Sequence, residues 1–579
     1  MNPVSVTVKG FRGLDQRAVY SDDPSVSPDM NNFRVCSDGS LKKRPGRRLS
    51  DCAFNGQIYY MWRGWIDGEL LFLICAGKCI YRLNAQTHEI SPVTTIPGEC
   101  RHMFPFGGSV YFICSSGYYK YTAGVFAEVE PYIPLIAVST LPDGSGTLYE
   151  KANMLTGKKR QQFSSDGSSA VYHLAEQLID TVISVMVGGT KCPAAYYTFD
   201  AGPGTVTFSE DHIPPEGLNN VEITWEKSST ASADIILGCR RSMNFGGNTD
   251  TRVFLYGNDE HPNYRYHSEL ADGLPSAEYF PETNYTVIGV SKINDIVQQY
   301  DRQLIFTEDR AFYSFCELRT DILGSYYSSF PVYNLNFEKG NLISNGSAVI
   351  DNTPVTLSDD GLNRWISTAV QDERNAECFS MPICDSVKEI IEGFRYGECS
   401  LYDRQSEGEL WFSTPLGLFI YCYRTGIWYR YDAINAVVFC EIPGRLYWLN
   451  SEGELWYTSE SLTTDDGNAY TAYWRTPLCT FGSSGGLLNL NSVTVVTDRA
   501  DGTELTVSAE PTGNGQTMNL QTLTLGPTED GGTLIDRTVF RTEIKRAAAA
   551  QVTLSSSGTG NGCHVKAVTF TYKTKEAGR

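Results

Sequence analysis

One strand phrase returns along this chain, an aromatic and aliphatic run bounded by a polar or Gly-containing turn. It reads Gly68-Glu-Leu-Leu-Phe-Leu-Ile74, then Gly108-Ser-Val-Tyr-Phe-Ile113. It returns as Arg302-Gln-Leu-Ile-Phe-Thr307, Gly408-Glu-Leu-Trp-Phe-Ser413, Gly444-Arg-Leu-Tyr-Trp-Leu449 and Gly453-Glu-Leu-Trp-Tyr-Thr458. Repetition at roughly 35–50 residues marks units that bury a face only by stacking on their neighbours. The units are strands, so the pattern predicts a β-propeller.

The 579 residues exceed one propeller and leave room for smaller domains. Residues 1–51 read as an N-terminal arm with turn signals at Asp22-Asp23-Pro24 and Ser27-Pro28-Asp29. Residues 52–137 hold the first propeller blades, each with three or four short strands. The pattern breaks over 138–228. There the alternating strand Asp180–Val187, a Gly188-Gly189 turn, Gly204–Phe208, the Pro214-Pro215-Glu216-Gly217 turn and Val221–Trp225 predict an inserted, small antiparallel β-domain. Blades resume over 229–478, for about seven in all. The segment 479–579 alternates cleanly in Ser492–Thr497, Leu505–Ser508, Gln551–Leu554 and Ala567–Tyr572, as strands of a C-terminal β-sandwich. Only Ala175–Ile179 and Lys545–Ala550 hint at helix. The fold class expected is all-β.

The formal net charge is −20, which disfavours general phosphate binding. It is compatible with a conduit whose acidic wall repels sliding DNA. The 16 cysteines sit largely in apolar strands, as Cys75, Cys114, Cys422 and Cys440 do, and read as reduced, structural thiols of a protein made in a cytoplasm. Cys75 and Cys79 lack the second pair of a zinc site. Neither a signal-peptide core over Met1–Gly10 nor a membrane anchor is expected.

No phosphate-cradling Gly-Lys-Ser/Thr loop and no His-Glu-x-x-His occurs. The one Gly-x-Ser-x-Gly match, Gly482–Gly486, lies in a Ser/Gly turn without the strand and helix of a nucleophile elbow. His261 and His267 are poorly spaced as metal ligands. The acidic pairs Asp259-Glu260, Asp359-Asp360 and Asp465-Asp466 read as solvated turns. The clusters around Trp411, Trp428 and Trp448 have strand spacing that places alternate rings in the core between blades. No catalytic, cofactor-binding or metal-binding residue is therefore assigned, and no enzyme is expected.

Three phrases together resemble structural proteins of tailed bacteriophages. The first is Phe11-Arg-Gly-Leu-Asp15 with Asp29-Met-Asn-Asn-Phe-Arg34 and Asp38-Gly-Ser-Leu-Lys-Lys-Arg-Pro-Gly46. The second joins Val253–Gly257, Pro262-Asn-Tyr264, Ala271-Asp-Gly273, Tyr279-Phe-Pro281 and Gln299–Phe306. The third is the insert, with its Val185-x-Val-Gly-Gly189 strand end and Pro-Pro-x-Gly turn. The resemblance is to the nozzle, or tubular tail, proteins of short-tailed phages, and to related neck and DNA-stabilisation proteins. It covers about the first 310 residues.

It implies a virion protein of the tail or neck, made in the bacterial host cytoplasm. On this resemblance the protein is expected to form a homo-oligomeric, hexameric ring below portal and adaptor proteins, with phage DNA passing through it without sequence-specific binding. It would then serve genome retention and ejection. The alternative is a receptor-binding, or carbohydrate-binding or -cleaving, propeller of the tail. The basic run Lys42, Lys43, Arg44, Arg47 and Arg48 stands out in an acidic chain. These five are the subunit-interface candidates, expected to meet carboxylates of a neighbouring subunit.

Overall fold

The computed structural model describes residues 3–66, 68–246, 251–320, 326–344, 346–366, 375–481, 486–498, 503–512, 518–525, 535–559 and 563–576. Seven four-stranded antiparallel sheets succeed one another along it. Blade 1 spans Ile58–Thr95, blade 2 Cys100–Glu128, blade 3 Arg241–Val287 and blade 4 Ile293–Asn336. Blade 5 spans Ala348–Cys378, blade 6 Ser400–Tyr431, and blade 7 begins with Val438–Ile442, Arg445–Leu449 and Leu455–Thr458. The first strands touch their neighbours around a circuit, except that blade 5 meets blade 4 through its second strand. The first strand of blade 7 returns to that of blade 1, so the ring is closed. The chain is all-β, a seven-bladed propeller with an inserted β-domain and a C-terminal β-sandwich.

Five of the six phrases mark the second strand of blades 1, 2, 4, 6 and 7, and Gly453–Thr458 marks the third strand of blade 7. Each such strand packs on both neighbours, so its run must be apolar throughout. Ser109–Cys114 and Glu409–Thr414 are buried along their whole length. The Trp rings at 411, 428 and 448 are likewise buried, as their spacing predicts. Each contributes about 3 kcal/mol by leaving water.

The insert lies between blades 2 and 3 and interrupts neither. It starts at Leu135–Thr140, three residues before the expected boundary, and its sheets have six and three strands. One pair, Leu135–Thr140 with Lys158–Ser165, is parallel, which corrects the purely antiparallel expectation. Phe163, Tyr172, Phe208 and Trp225 fill its core. The sandwich takes Ala472–Arg475 into one of its sheets, ahead of residue 479.

Residues 1–51 do not stand apart. Val4–Val8 and the Phe33–Val35/Leu41–Lys43 hairpin join His564–Glu576 in one sandwich sheet, and Asp29–Asn31 joins Ala472–Arg475 in the other. Arg47–Leu49 then supplies the fourth strand of blade 7, opposite Trp456–Thr458. The arm closes the propeller and fastens it to the sandwich.

Neither helix hint holds. Residues 175–179 are bends and irregular chain, and Lys545–Ala550 is the corner where the chain crosses from Ile535–Ala547 in one sandwich sheet to Ala550–Ser556 in the other. Ala549 and Ala550 are small because that corner is buried, and tertiary packing overrides their helix preference. The α-helices among the described residues are Ala233–Leu237 and Cys384–Glu392. Among the described residues no helix is long and apolar enough to cross a membrane.

Candidate functional site

The five basic residues of the arm lie against their own chain. Arg44 forms a two-pronged pair with Asp465, at 2.9 and 2.7 Å, and stacks on Tyr470 at 4.0 Å. Arg47 reaches the same carboxylate at 3.4 Å and lies over Trp456. Lys42 meets Glu460 at 3.3 Å. Lys43 donates to Gly558 O at 2.8 Å, and burial pushes its ammonium down to about 8, with the Arg44 charge adding to the effect. Arg48 alone is exposed without a carboxylate partner among the described residues. For Lys42, Arg44 and Arg47 carboxylates are supplied within the chain. The physical reason is the strand pairing, which brings 42–48 onto residues 456–470.

The same segment explains two glycines of the phage-like phrases. Gly46 lies so close to Thr464 O that a Cβ would collide with backbone. Gly13 has φ +74° and lies against Ile427 and the Trp428 carbonyl. Both positions demand glycine.

The propeller axis holds a cavity of about 610 Å³. Its wall is built from residues in and around the first strands of blades 1, 2, 3, 4, 6 and 7, from Tyr256, Gly257 and Asp259 of blade 3 and from Ser344. Three of those strands carry a β-bulge there, with Tyr59, Arg101 and Asn294 as the extra residues. A bulge breaks the alternation of the strand and re-aims side chains. Tyr59, Tyr60, Arg101, His102 and Asp295 reach the cavity from these irregular stretches.

Arg101, Arg240, Arg241 and Lys292 line this cavity against Asp259 and Asp295. Arg240 pairs with Asp259 at 2.5 Å. Asp295 accepts from the Tyr256 hydroxyl at 2.8 Å, from Ile296 N–H at 2.9 Å and from Ser347 N–H. Burial and the nearby Arg241 charge push His102 down to about 3, so its ring is neutral at ordinary pH. His102 Nε2 shares a hydrogen bond with Ser242 Oγ at 2.7 Å, while its buried Nδ1 has no partner. Nothing in the sequence set these residues apart, because no local pattern marks a bulge or the axis of a ring.

A second cluster joins the arm to the sandwich. His564 Nε2 meets Ser40 Oγ at 2.7 Å, and its Nδ1 meets Asp498 at 2.7 Å. Cys36 and Asp38 lie beside the ring, and Lys566 bridges Asp38 and Asp498 at 3.3 and 3.6 Å. This is the order of nucleophile, base and orienting carboxylate. Ser40, however, is 2% exposed and also bonded to Asp38, which leaves no space for a tetrahedral centre at its oxygen. The cluster also contains a thiol, a carboxylate and an imidazole within reach of one ion, but the Lys566 ammonium already occupies the carboxylates. It acts as a polar rivet between segments 524 residues apart.

The remaining sequence candidates stay separate. His261 lies against Tyr264, and His267 packs on Phe254 and Phe330. Asp360 pairs with Lys339 at 2.6 Å. Gly482–Gly485 of the Gly-x-Ser-x-Gly match lie outside the described residues. All 16 cysteines are free thiols.

No family model and no curated protein matches the chain. Among solved structures it is similar to a chain of the mitotic checkpoint complex, at 9% identity over 72% of this chain and 94% of that one, with a TM-score of 0.33. It is also similar to the extracellular domain of a protein described as a one component system from B. thetaiotaomicron. That match has 8% identity, covers 89% of this chain and 80% of the other, and has a TM-score of 0.19. Scores this low carry nothing about function, and the propeller assignment rests on strand pairing.

Proposed function

We propose that this chain is a structural subunit of a tailed-phage virion, a nozzle-like tail or neck component that works by assembly rather than by chemistry. In this reading it forms a homo-oligomeric ring below portal and adaptor proteins, through which the genome is retained and then ejected. One observation carries most of the support. The first of the phrases that resemble phage tail proteins is the buried clasp of the fold. Phe11, Leu14, Met30, Asn32, Phe33, Leu41 and Arg44 are all buried where arm, blade 6, blade 7 and sandwich meet. Asn32 N–H donates to Arg430 O at 2.8 Å, and its side chain donates to Asp432 and to Thr471 O at 2.7 Å each. A part that bears load at a particle axis benefits from termini locked into its body.

Electron microscopy and mass photometry of the full chain test this reading. Closed rings with an open axis are expected. A particle of one chain's mass, persisting up to the concentrations used for imaging and never entering a ring, would sink it. The receptor-binding alternative draws on the hairpin Glu317–Thr320/Tyr326–Ser329 of blade 4, which leaves Leu318, Tyr326 and Tyr327 exposed. Retention of the chain on host cell envelopes, lost when these three are changed to Ser, would favour it.

A further inference from the structure

The hub cavity has features that a purely structural axis does not need. Its lining is net positive in a chain of net charge −20. Asp259 is engaged by Arg240, and Asp295 is held by three donors. That leaves Arg101, Arg241 and Lys292 with no carboxylate in ion-pair reach among the described residues. Arg241 is the deepest of the cations, and one edge of its guanidinium donates to Ser344 O. Arg101 and Lys292 are exposed at the rim.

His102 lines the same cavity, 6% exposed and wedged between Tyr60 and Phe104. The bulges in blades 1, 2 and 4 interrupt strands that line the hub and re-aim side chains there.

We propose that the hub binds one compact oxyanion group, a carboxylate or a phosphate, held by Arg241. Arg101 and Lys292 draw it in from the rim. A guanidinium edge complements oxyanion lone pairs. The site is formed by a single chain, so it does not depend on the ring or virion role.

Isothermal titration of the full chain at low ionic strength tests this, with inorganic phosphate and citrate as separate probes. One saturable site per chain is expected for at least one probe, weakening as salt rises. Saturation by phosphate alone assigns a phosphate ligand, and saturation by citrate alone a carboxylate. Arg241→Gln is expected to weaken binding by about tenfold or more, the value of a charged hydrogen bond. Because Arg241 also braces Ser344, Lys292→Gln at the exposed rim serves as a second variant, expected to weaken binding by about threefold. Absence of saturation by about 10 mM for both probes overturns the proposal. So does equal affinity in the wild type and both variants.

Discussion

Arg44 and Asp465 face each other through two parallel hydrogen bonds, Nη1 to Oδ1 at 2.9 Å and Nη2 to Oδ2 at 2.7 Å, with the arginine side chain 1% exposed. The pair pins the arm to the segment that follows blade 7. Arg44→Ala leaves Asp465 nearly buried with only the longer Arg47 contact at 3.4 Å, and is expected to cost about 3 kcal/mol. Arg44→Lys should recover only part of this, since an ammonium has no fork. Urea denaturation reads both effects. Replacing Lys42, Lys43, Arg44, Arg47 and Arg48 together with Ser or Gln would leave the body folded if the arm were free. With the contacts seen, that variant should unfold at lower urea as an isolated subunit. An unchanged midpoint would restore the free-arm picture.

Phe11 meets Trp474 edge-on at 5.0 Å, and both rings are buried. Phe11→Ala should destabilise the chain by about 3–5 kcal/mol through lost transfer energy and the cavity left behind. Phe11→Leu should cost much less, because it keeps most of the volume. Thermal unfolding of the two variants side by side checks the ranking.

Deleting residues 1–50 removes Arg47–Leu49 from blade 7 and five paired strands in all. The third strand of blade 7 and an edge of each sandwich sheet then present unpaired backbone groups. The truncated chain is expected to aggregate or to lose cooperative unfolding, as seen by limited proteolysis and circular dichroism. A monomeric product with wild-type protease resistance would show that the closure is dispensable.

Burial, with Arg241 adding to it, holds His102 down to about 3 when folded. In the unfolded chain the ring titrates near its ordinary value of about 6.5. Above that value both states are neutral and the contribution to stability is complete. As pH falls from about 6.5 towards 3, only the unfolded chain takes up this proton. Stability therefore falls by about 1.4 kcal/mol per pH unit from this ring. Denaturation midpoints between pH 7 and 4.5 should show a shallower dependence, by about one proton, in His102→Phe than in the wild type. Equal slopes would mean that the ring is protonated in the folded state.

The blades were legible because their cause is local. A strand packed on both faces must be apolar without a break, and Leu70–Cys75, Val110–Cys114 and Leu410–Phe412 carry that requirement in consecutive letters. The insert and the sandwich were legible for the complementary reason, since one wet face leaves a period of two. What the letters do not hold is which distant edges meet. Arg47–Leu49 is too short to show a period, and its meaning as the closing strand depends on Trp456–Thr458, some 400 residues on. The basic run read as an unmet charge only because Glu460 and Asp465 are adjacent in space and not in sequence. The hub residues Arg101, His102, Arg241 and Asp295 come from three different blades, and Arg101, His102 and Asp295 sit at bulges that leave no signature in composition. Local burial is written in each segment, whereas register, closure and the meeting of side chains at an axis arise only when all seven sheets pack at once.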